Sequence, residues 1–309
     1  MTLTPAAAHE LRQALGTVVV VPVTPFHADQ NPDWDTYGVL TERLVDGGIT
    51  VITPNGNTGE FYALTQAEAR QALETAAKAS RGRGPATDLL AGVGHDIATA
   101  VEAARHAQDQ GARMIMIHQP VHPYVSREGW VEYNAAIAGA VPDLGVVLYV
   151  RNERITGADI AALADRAPNV VGVKYGLRDS TRFAAVARDA GIDRFTWLAG
   201  AAELTAPSYW ASGAHGFTSG LANVSPGLAL SMLGALRAGD FGAAMKVWDS
   251  IRRFEELRAA DANADNVSVV KEALAQLGLC RADVRPPSRL LPPDVRDEIT
   301  AILAGWGLR

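Results

Sequence analysis

Residues 169–179 read NVVGVKYGLRD. The first part, V-V-G-V, is apolar without alternation, the pattern of a strand buried on both faces. It then runs into a lysine. The chain has four lysines, Lys78, Lys174, Lys246 and Lys271. Only Lys174 ends a strand-like run; the other three fall in helix-like segments. A strand buried on both faces belongs to a parallel sheet covered by helices, so this stretch predicts the fold class as well as an unusual place for an amine.

The same pattern recurs along the chain. TVVVVPVT (17–24), ITVITPNG (49–56), TDLLAGVG (87–94), ARMIMIHQ (112–119), LGVVLYV (144–150), NVVGVKYG (169–176), FTWLAG (195–200) and AHGFTSG (214–220) make eight such runs. Amphipathic stretches lie between them. In DWDTYGVLTERLVDGG, Tyr37, Leu40, Leu44 and Val45 share one helical face, closed by Gly47 and Gly48. Thr65 with Glu68 fits a capping box, and Thr156 with Asp159 has the same spacing. Ser225 caps a helix whose first position is Pro226 and whose stop is Gly239.

Eight strand–helix units in series predict an α/β fold, a (β/α)8 TIM barrel. A doubly wound open sheet is the alternative, but it calls for a Gly-rich first turn, and the first turn here is VTPFHADQ. After the eighth unit the pattern is helical throughout: FGAAMKVWDSIRRFEELRAA, NVSVVKEALAQLGL and LPPDVRDEITAILAGW. The expected organisation is a catalytic barrel over residues 1–237 and a C-terminal helical region over 238–309.

Composition narrows the function. Of 309 residues, 48% are apolar and 20% charged, enough for a large core, and the net charge of −6 comes with no basic run. That argues against nucleic-acid binding. No run of about 18 apolar residues suggests a membrane span. The start of the chain, MTLTPAAAHELRQALG, lacks a signal-peptide pattern. The single cysteine, Cys280, permits no intrachain disulfide and suits a reducing cytoplasm. A cytoplasmic protein acting on a small molecule is the expectation.

Barrel enzymes carry their chemistry at the C-terminal ends of the strands. That rule selects Thr24 after strand 1, the GNTGE loop (56–60) after strand 2, His95 after strand 3 and His118 to Tyr124 after strand 4. It also selects Tyr149, Arg151 and Arg154 after strand 5, Lys174 on strand 6, and Ser219, Gly220 and Asn223 after strand 8. An amine in an apolar barrel mouth loses hydration when charged, so its neutral form gains weight. A neutral amine attacks a carbonyl carbon and forms a Schiff base. A lysine snorkelling from a structural strand to the rim is the alternative. Tyr149, on the neighbouring strand, suits proton transfer. In GNTGE, the glycines allow close backbone approach, and Asn57 and Thr58 offer donors suited to a carboxylate. Glu60 is read as orienting that turn. Arg151 and Arg154 suit a second carboxylate or a solvated rim. His95, His118 and His122 lack metal-ligand spacing, so no metal is expected. Gly172 is expected to leave room beneath the imine.

PVTPF (22–26), GNTGEFYALT (56–65), VVLY (146–149), GVKYG (172–176), GFTSGLANVSP (216–226) and VKEALAQLGL with VRPP (270–287) together resemble the dihydrodipicolinate synthase / N-acetylneuraminate lyase family. The resemblance spans nearly the whole chain. It implies a class I, metal-independent lyase with no cofactor beyond a covalent imine. Lys174 would hold pyruvate or another 2-oxo acid, Tyr149 would transfer protons, and Thr58, with the backbone of Asn57 and Gly59, would hold the carboxylate. It also implies a homotetramer, a dimer of dimers, with His122 or Tyr124 reaching a neighbouring subunit. The chain departs from the synthase pattern at Asn57, where a threonine is usual, at QPVHPYVSREG and at VRNERIT. These stretches are nearer 5-dehydro-4-deoxyglucarate dehydratases, which act on a keto-diacid. Asn57 could then bind a substrate hydroxyl and an arginine the distal carboxylate. The reading is a Schiff-base lyase performing aldol chemistry or dehydration. The alternatives are a silent barrel that only binds oxo acids and an unrelated barrel enzyme using a metal.

Overall fold

Each of the eight apolar runs becomes a strand in the computed structural model, which describes residues 2–83 and 86–309. Helix α1 (Pro5–Leu15) precedes them. Then come β1 (Val18–Val20) and α2 (Trp34–Asp46), β2 (Val51–Ile52) and α3 (Gln66–Ser80), β3 (Asp88–Val93) and α4 (Ile97–Asp109), β4 (Met114–Ile117) and α5 (Arg127–Ala140). The second half repeats the alternation: β5 (Gly145–Val150) and α6 (Gly157–Arg166), β6 (Val170–Tyr175) and α7 (Ser180–Ala190), β7 (Thr196–Ala199) and α8 (Ala206–Ala211), β8 (Gly216–Ser219) and α9 (Pro226–Arg237). The strands close in order into a barrel, which removes the open-sheet alternative. Three helices follow: α10 (Phe241–Asn263), which kinks at Ala260–Ala262, α11 (Asn266–Gln276) and α12 (Pro293–Gly305).

Local signals account for many of the boundaries. Thr65 and Glu68 exchange both bonds of a capping box at the start of α3. The Asp159 carboxylate accepts the Thr156 N–H at 2.8 Å at the start of α6. Helix α2 buries Tyr37, Leu40, Leu44 and Val45, the face its spacing predicts. Helix α1 is additional to the elements expected from the sequence. Its signals are local: Thr4 caps it, Pro5 opens it and Gly16 ends it.

The residues divide into two compact units. One comprises the chain up to Val19, Thr50–Thr53 and Asp88–Thr218; the other comprises Val20–Ile49, Pro54–Thr87 and Ser219–Arg309. The core of the first unit joins Leu11 and Leu15 of α1 to Val19, Val51, Leu90, Met114, Met116, Val147, Tyr149, Val171 and Leu198. The register between β5 and β6 slips within it. Val146 pairs with Val170, but Val147 pairs with Gly172, so Val171 is an extra residue. A one-residue slip swaps the faces of everything beyond it. Beyond this bulge, Tyr149 pairs with Lys174, and partners in register point to the same face.

Gly172 needs correcting. A Cβ there would lie 3.0 Å from Leu15 Cδ1, 3.2 Å from the Thr196 carbonyl oxygen and 3.4 Å from Val147 Cγ2. The missing side chain makes room for α1, not for a ligand.

In the second unit, Arg43 of α2 donates to the carbonyls of Asn223 and Val224, both at 2.6 Å. The buried Asn223 amide accepts the Val23 N–H at 3.1 Å and donates to the carbonyls of Val21, at 2.9 Å, and Gly220, at 3.0 Å. It joins the chain beyond β1 to the turn after β8. Cys280 is half-buried, and burial pushes its thiol up to about 11, which suits an inert packing residue.

Candidate active site

The first unit holds Lys174 and Tyr149 side by side. The two are buried, at 4% and 7% exposure. Lys174 Nζ lies 4.2 Å from the centroid of the Tyr149 ring. Two glycines allow this. A Cβ on Gly200 would fall 2.9 Å from Lys174 Cγ, and one on Gly176 would fall 2.9 Å from Tyr149 Cε2. The Tyr149 carbonyl is held by the side chain of Gln119, just beyond β4. His118, also buried, places its ring edge-on to Tyr149 with centroids 6.2 Å apart.

The two arginines separate. Arg151 Cγ would be 2.9 Å from a Cβ on Gly176, the same glycine that borders Tyr149. Arg154 instead turns to the Val125 carbonyl at 3.3 Å. His122 and Tyr124 are exposed, Tyr124 at 86%, and contact one another: His122 Nδ1 accepts the Tyr124 N–H at 3.1 Å. Among the described residues, no group of three or more His, Cys, Asp or Glu side chains is placed to hold a metal ion.

The second unit holds the GNTGE loop and its supports. Thr24 Oγ1 is buried and donates to the Gly59 carbonyl at 2.8 Å. The loop lies tight on the residues after β1. A Cβ on Gly56 would be 2.4 Å from Val21 Cγ1, and one on Gly59 would be 2.9 Å from the Pro22 carbonyl oxygen. Residues Asn57–Gly59 form a short 3₁₀ turn, with Thr58 buried within it. Asn57 Oδ1 is buried and has no hydrogen-bond partner. Such an acceptor can take a donor from water or from a bound molecule.

Both carboxylate oxygens of Glu60 are taken by other parts of the chain. Its backbone is left-handed, at φ 60° and ψ 35°. One carboxylate oxygen takes the Lys271 ammonium at 2.5 Å, and the other accepts the Arg285 N–H at 2.8 Å. Ser219 Oγ accepts the Ala222 N–H at 2.8 Å. Gly220 is required by a neighbour that sequence reasoning missed: a Cβ there would be 2.1 Å from Nη2 of the buried Arg258. Arg258 donates to Glu255 at 2.5 Å and to Asn266 at 3.3 Å.

Residues 14–305 match the model of the dihydrodipicolinate synthetase family. The chain belongs to this family. Dihydrodipicolinate synthase from Oceanobacillus iheyensis has a similar structure, at TM-score 0.92 and 37% identity, over 98% of this chain and 100% of that one. A 4-hydroxy-tetrahydrodipicolinate synthase of Phenylobacterium zucineum is 32% identical over 93% of this chain and 95% of its own length. A probable 5-dehydro-4-deoxyglucarate dehydratase of Methylobacterium radiotolerans is 33% identical over 98% of each chain. As a member of the dihydrodipicolinate synthetase family, the chain is an aldolase-type lyase. Relatives carrying the names of two different activities match it about equally well, so the branch must be argued from individual residues. Within the described residues, no helix is long and apolar enough to cross a membrane.

Proposed function

We propose that this lyase forms a Schiff base between Lys174 and the carbonyl carbon of a 2-oxo acid, with Tyr149 carrying the protons. The observation that carries the reading is the buried amine 4.2 Å from the Tyr149 ring, on strands in register. The neutral amine adds to the carbonyl, and the carbinolamine loses water as the phenol supplies a proton. The cationic imine then draws electrons from the neighbouring carbon. Loss of a proton there gives an enamine, which either attacks an electrophile or expels a leaving group one carbon further on. The electron sink is the imine itself. Thr58 and the backbone around Asn57 and Gly59 are proposed to hold the oxo-acid carboxylate.

Within this chemistry, one observation favours dehydration of a keto-diacid over condensation. The buried, unpartnered Asn57 Oδ1 suits a substrate hydroxyl, which pyruvate lacks. Arg151, whose stem lies beside Gly176, suits the distal carboxylate better than Arg154 does. The enamine would then expel the adjacent hydroxyl as water, its proton coming from Tyr149.

Borohydride trapping tests both levels. Pyruvate and 5-dehydro-4-deoxyglucarate should each leave a reduced adduct on the peptide carrying Lys174, and the keto-diacid should be turned over. A label on another peptide, or none with either acid, would overturn the Schiff base. Adduct formation with no keto-diacid turnover would remove the dehydratase reading alone. A homotetramer is proposed as well, supported by the exposed Val121 and Tyr124 on the loop after β4. A monomer by light scattering would refute it.

A further inference from the structure

We propose that Lys271 is a positioning residue for the GNTGE loop, fixing through Glu60 the backbone that receives the substrate carboxylate. This rests on the carboxylate role assigned above to Thr58 and Gly59, and it gives a function to a helix far along the sequence. The Lys271 side chain is fully buried and the Glu60 side chain nearly so. The ammonium gives one hydrogen bond to Glu60 Oε1 at 2.5 Å and another to the Asp283 carbonyl at 2.8 Å. Its charge also sits 4.0 Å from the centroid of the Phe26 ring, and the Arg285 guanidinium lies 4.5 Å from that centroid. Arg285 in turn binds the Glu68 carboxylate at 2.6 and 2.8 Å and the carbonyls of Gln30 and Ala63.

Lys271 and the Arg285 N–H meet the loop at Glu60. Glu60 directly follows Gly59, and its own N–H closes the 3₁₀ turn by donating to the Asn57 carbonyl. Its left-handed φ is unfavourable for a residue with a side chain. Such a conformation persists only where the surroundings over-determine it. The two oxygens of Glu60 supply that constraint, one held by Lys271 and one by the Arg285 N–H. Release of the carboxylate lets residue 60 leave the left-handed region, and the Thr58 and Gly59 amides turn with it. Burial draws the Lys271 ammonium below its ordinary range, and Glu60 opposes that draw. A buried pair of this kind adds little net stability and is better suited to fixing geometry.

The test uses the full chain carrying Lys174→Ala, so that binding is read without imine formation. Pyruvate should still raise its Tm through carboxylate binding. Two further backgrounds add Glu60→Gln alone, or Glu60→Gln with Lys271→Met, which replaces the ion pair by neutral groups of similar shape. The expected result is a pyruvate-induced Tm shift at least halved in whichever variant retains native circular dichroism. In the Lys174-containing versions, half-saturation for pyruvate trapping should rise about tenfold, while trapping of a neutral ketone such as hydroxyacetone stays unchanged. An undiminished shift in a folded variant would overturn the proposal. Equal loss for pyruvate and the ketone would do so too, since general loosening affects both. No shift in Lys174→Ala itself would also overturn it, because the loop would then hold no carboxylate. Failure of the Schiff-base reading is separate: it appears as no adduct in the unaltered protein, whatever the thermal shifts.

Discussion

Two lysines of this chain are buried, and they are buried differently. Lys174 ends β6 and meets the face of the Tyr149 ring. Lys271 lies inside α11 and meets a carboxylate, a backbone carbonyl and the Phe26 ring. A carboxylate at 2.5 Å and a carbonyl at 2.8 Å occupy the Lys271 amine, so it is poorly placed to attack anything. The Tyr149 phenol brings a proton carrier to the lysine proposed to form the imine. The difference teaches that two buried lysines are told apart by their neighbours, not by burial alone.

The comparison breaks most sharply by replacing each lysine. Lys174→Ala should cost on the order of 10⁵-fold in kcat or more and leave the urea midpoint nearly unchanged. A folded Lys174→Ala with appreciable turnover would place the chemistry elsewhere. Lys271→Met should do the reverse first, costing about 3–5 kcal/mol of stability by stranding the Glu60 charge, as read by urea unfolding. A loss under 1 kcal/mol would mean that the pair is not as dry as its burial implies.

The network around Lys271 has its own pH signature. Hydrogen bonds from Arg285, with Thr65 assisting, hold the Glu68 carboxyl down from its ordinary 4.5 to about 2. Its contribution is therefore complete above pH 4.5 and is lost as pH falls toward 2, roughly 3 kcal/mol in all. Glu68→Gln should lower stability at neutral pH by that order and flatten the acid side of the profile between those limits. An unchanged acid profile would contradict the assignment. The smallest effect belongs to the rim. Arg151→Ala should raise KM for a keto-diacid about tenfold, near 1.4 kcal/mol, with pyruvate trapping unaffected. The same result from Arg154→Ala instead would exchange the two arginines.

Much of this was legible in the residues. Strands buried on both faces announce themselves as unbroken apolar runs, and a capping box such as Thr65 with Glu68 is entirely local. Lys174 and Tyr149 were readable because the barrel rule turns a strand end into a position in space. The bulge at Val171 was not readable. It depends on which β5 residue faces which β6 residue, and VVGV is equally apolar in either register. Helix α1 carries ordinary start and stop signals, Thr4, Pro5 and Gly16, in a stretch with no strong apolar run. Lys271 reads in the sequence as one more helix lysine because its partner Glu60 is 211 residues away. In the structure Val267, Ser268, Val269, Val270, Lys271, Glu272, Ala273 and Leu274 are buried in succession, and a charge inside such a helix has to be paired.

Helix α1 has a consequence in time. Leu15 fills the space left by Gly172, and the Arg12 carbonyl accepts from Thr196 Oγ1, a bond joining residues 184 positions apart. Helix α1 therefore waits for β6 and β7 before its apolar side is covered. Contacts of such long sequence separation close slowly. Until then Leu11 and Leu15 lack their native cover, although their own helix is already made.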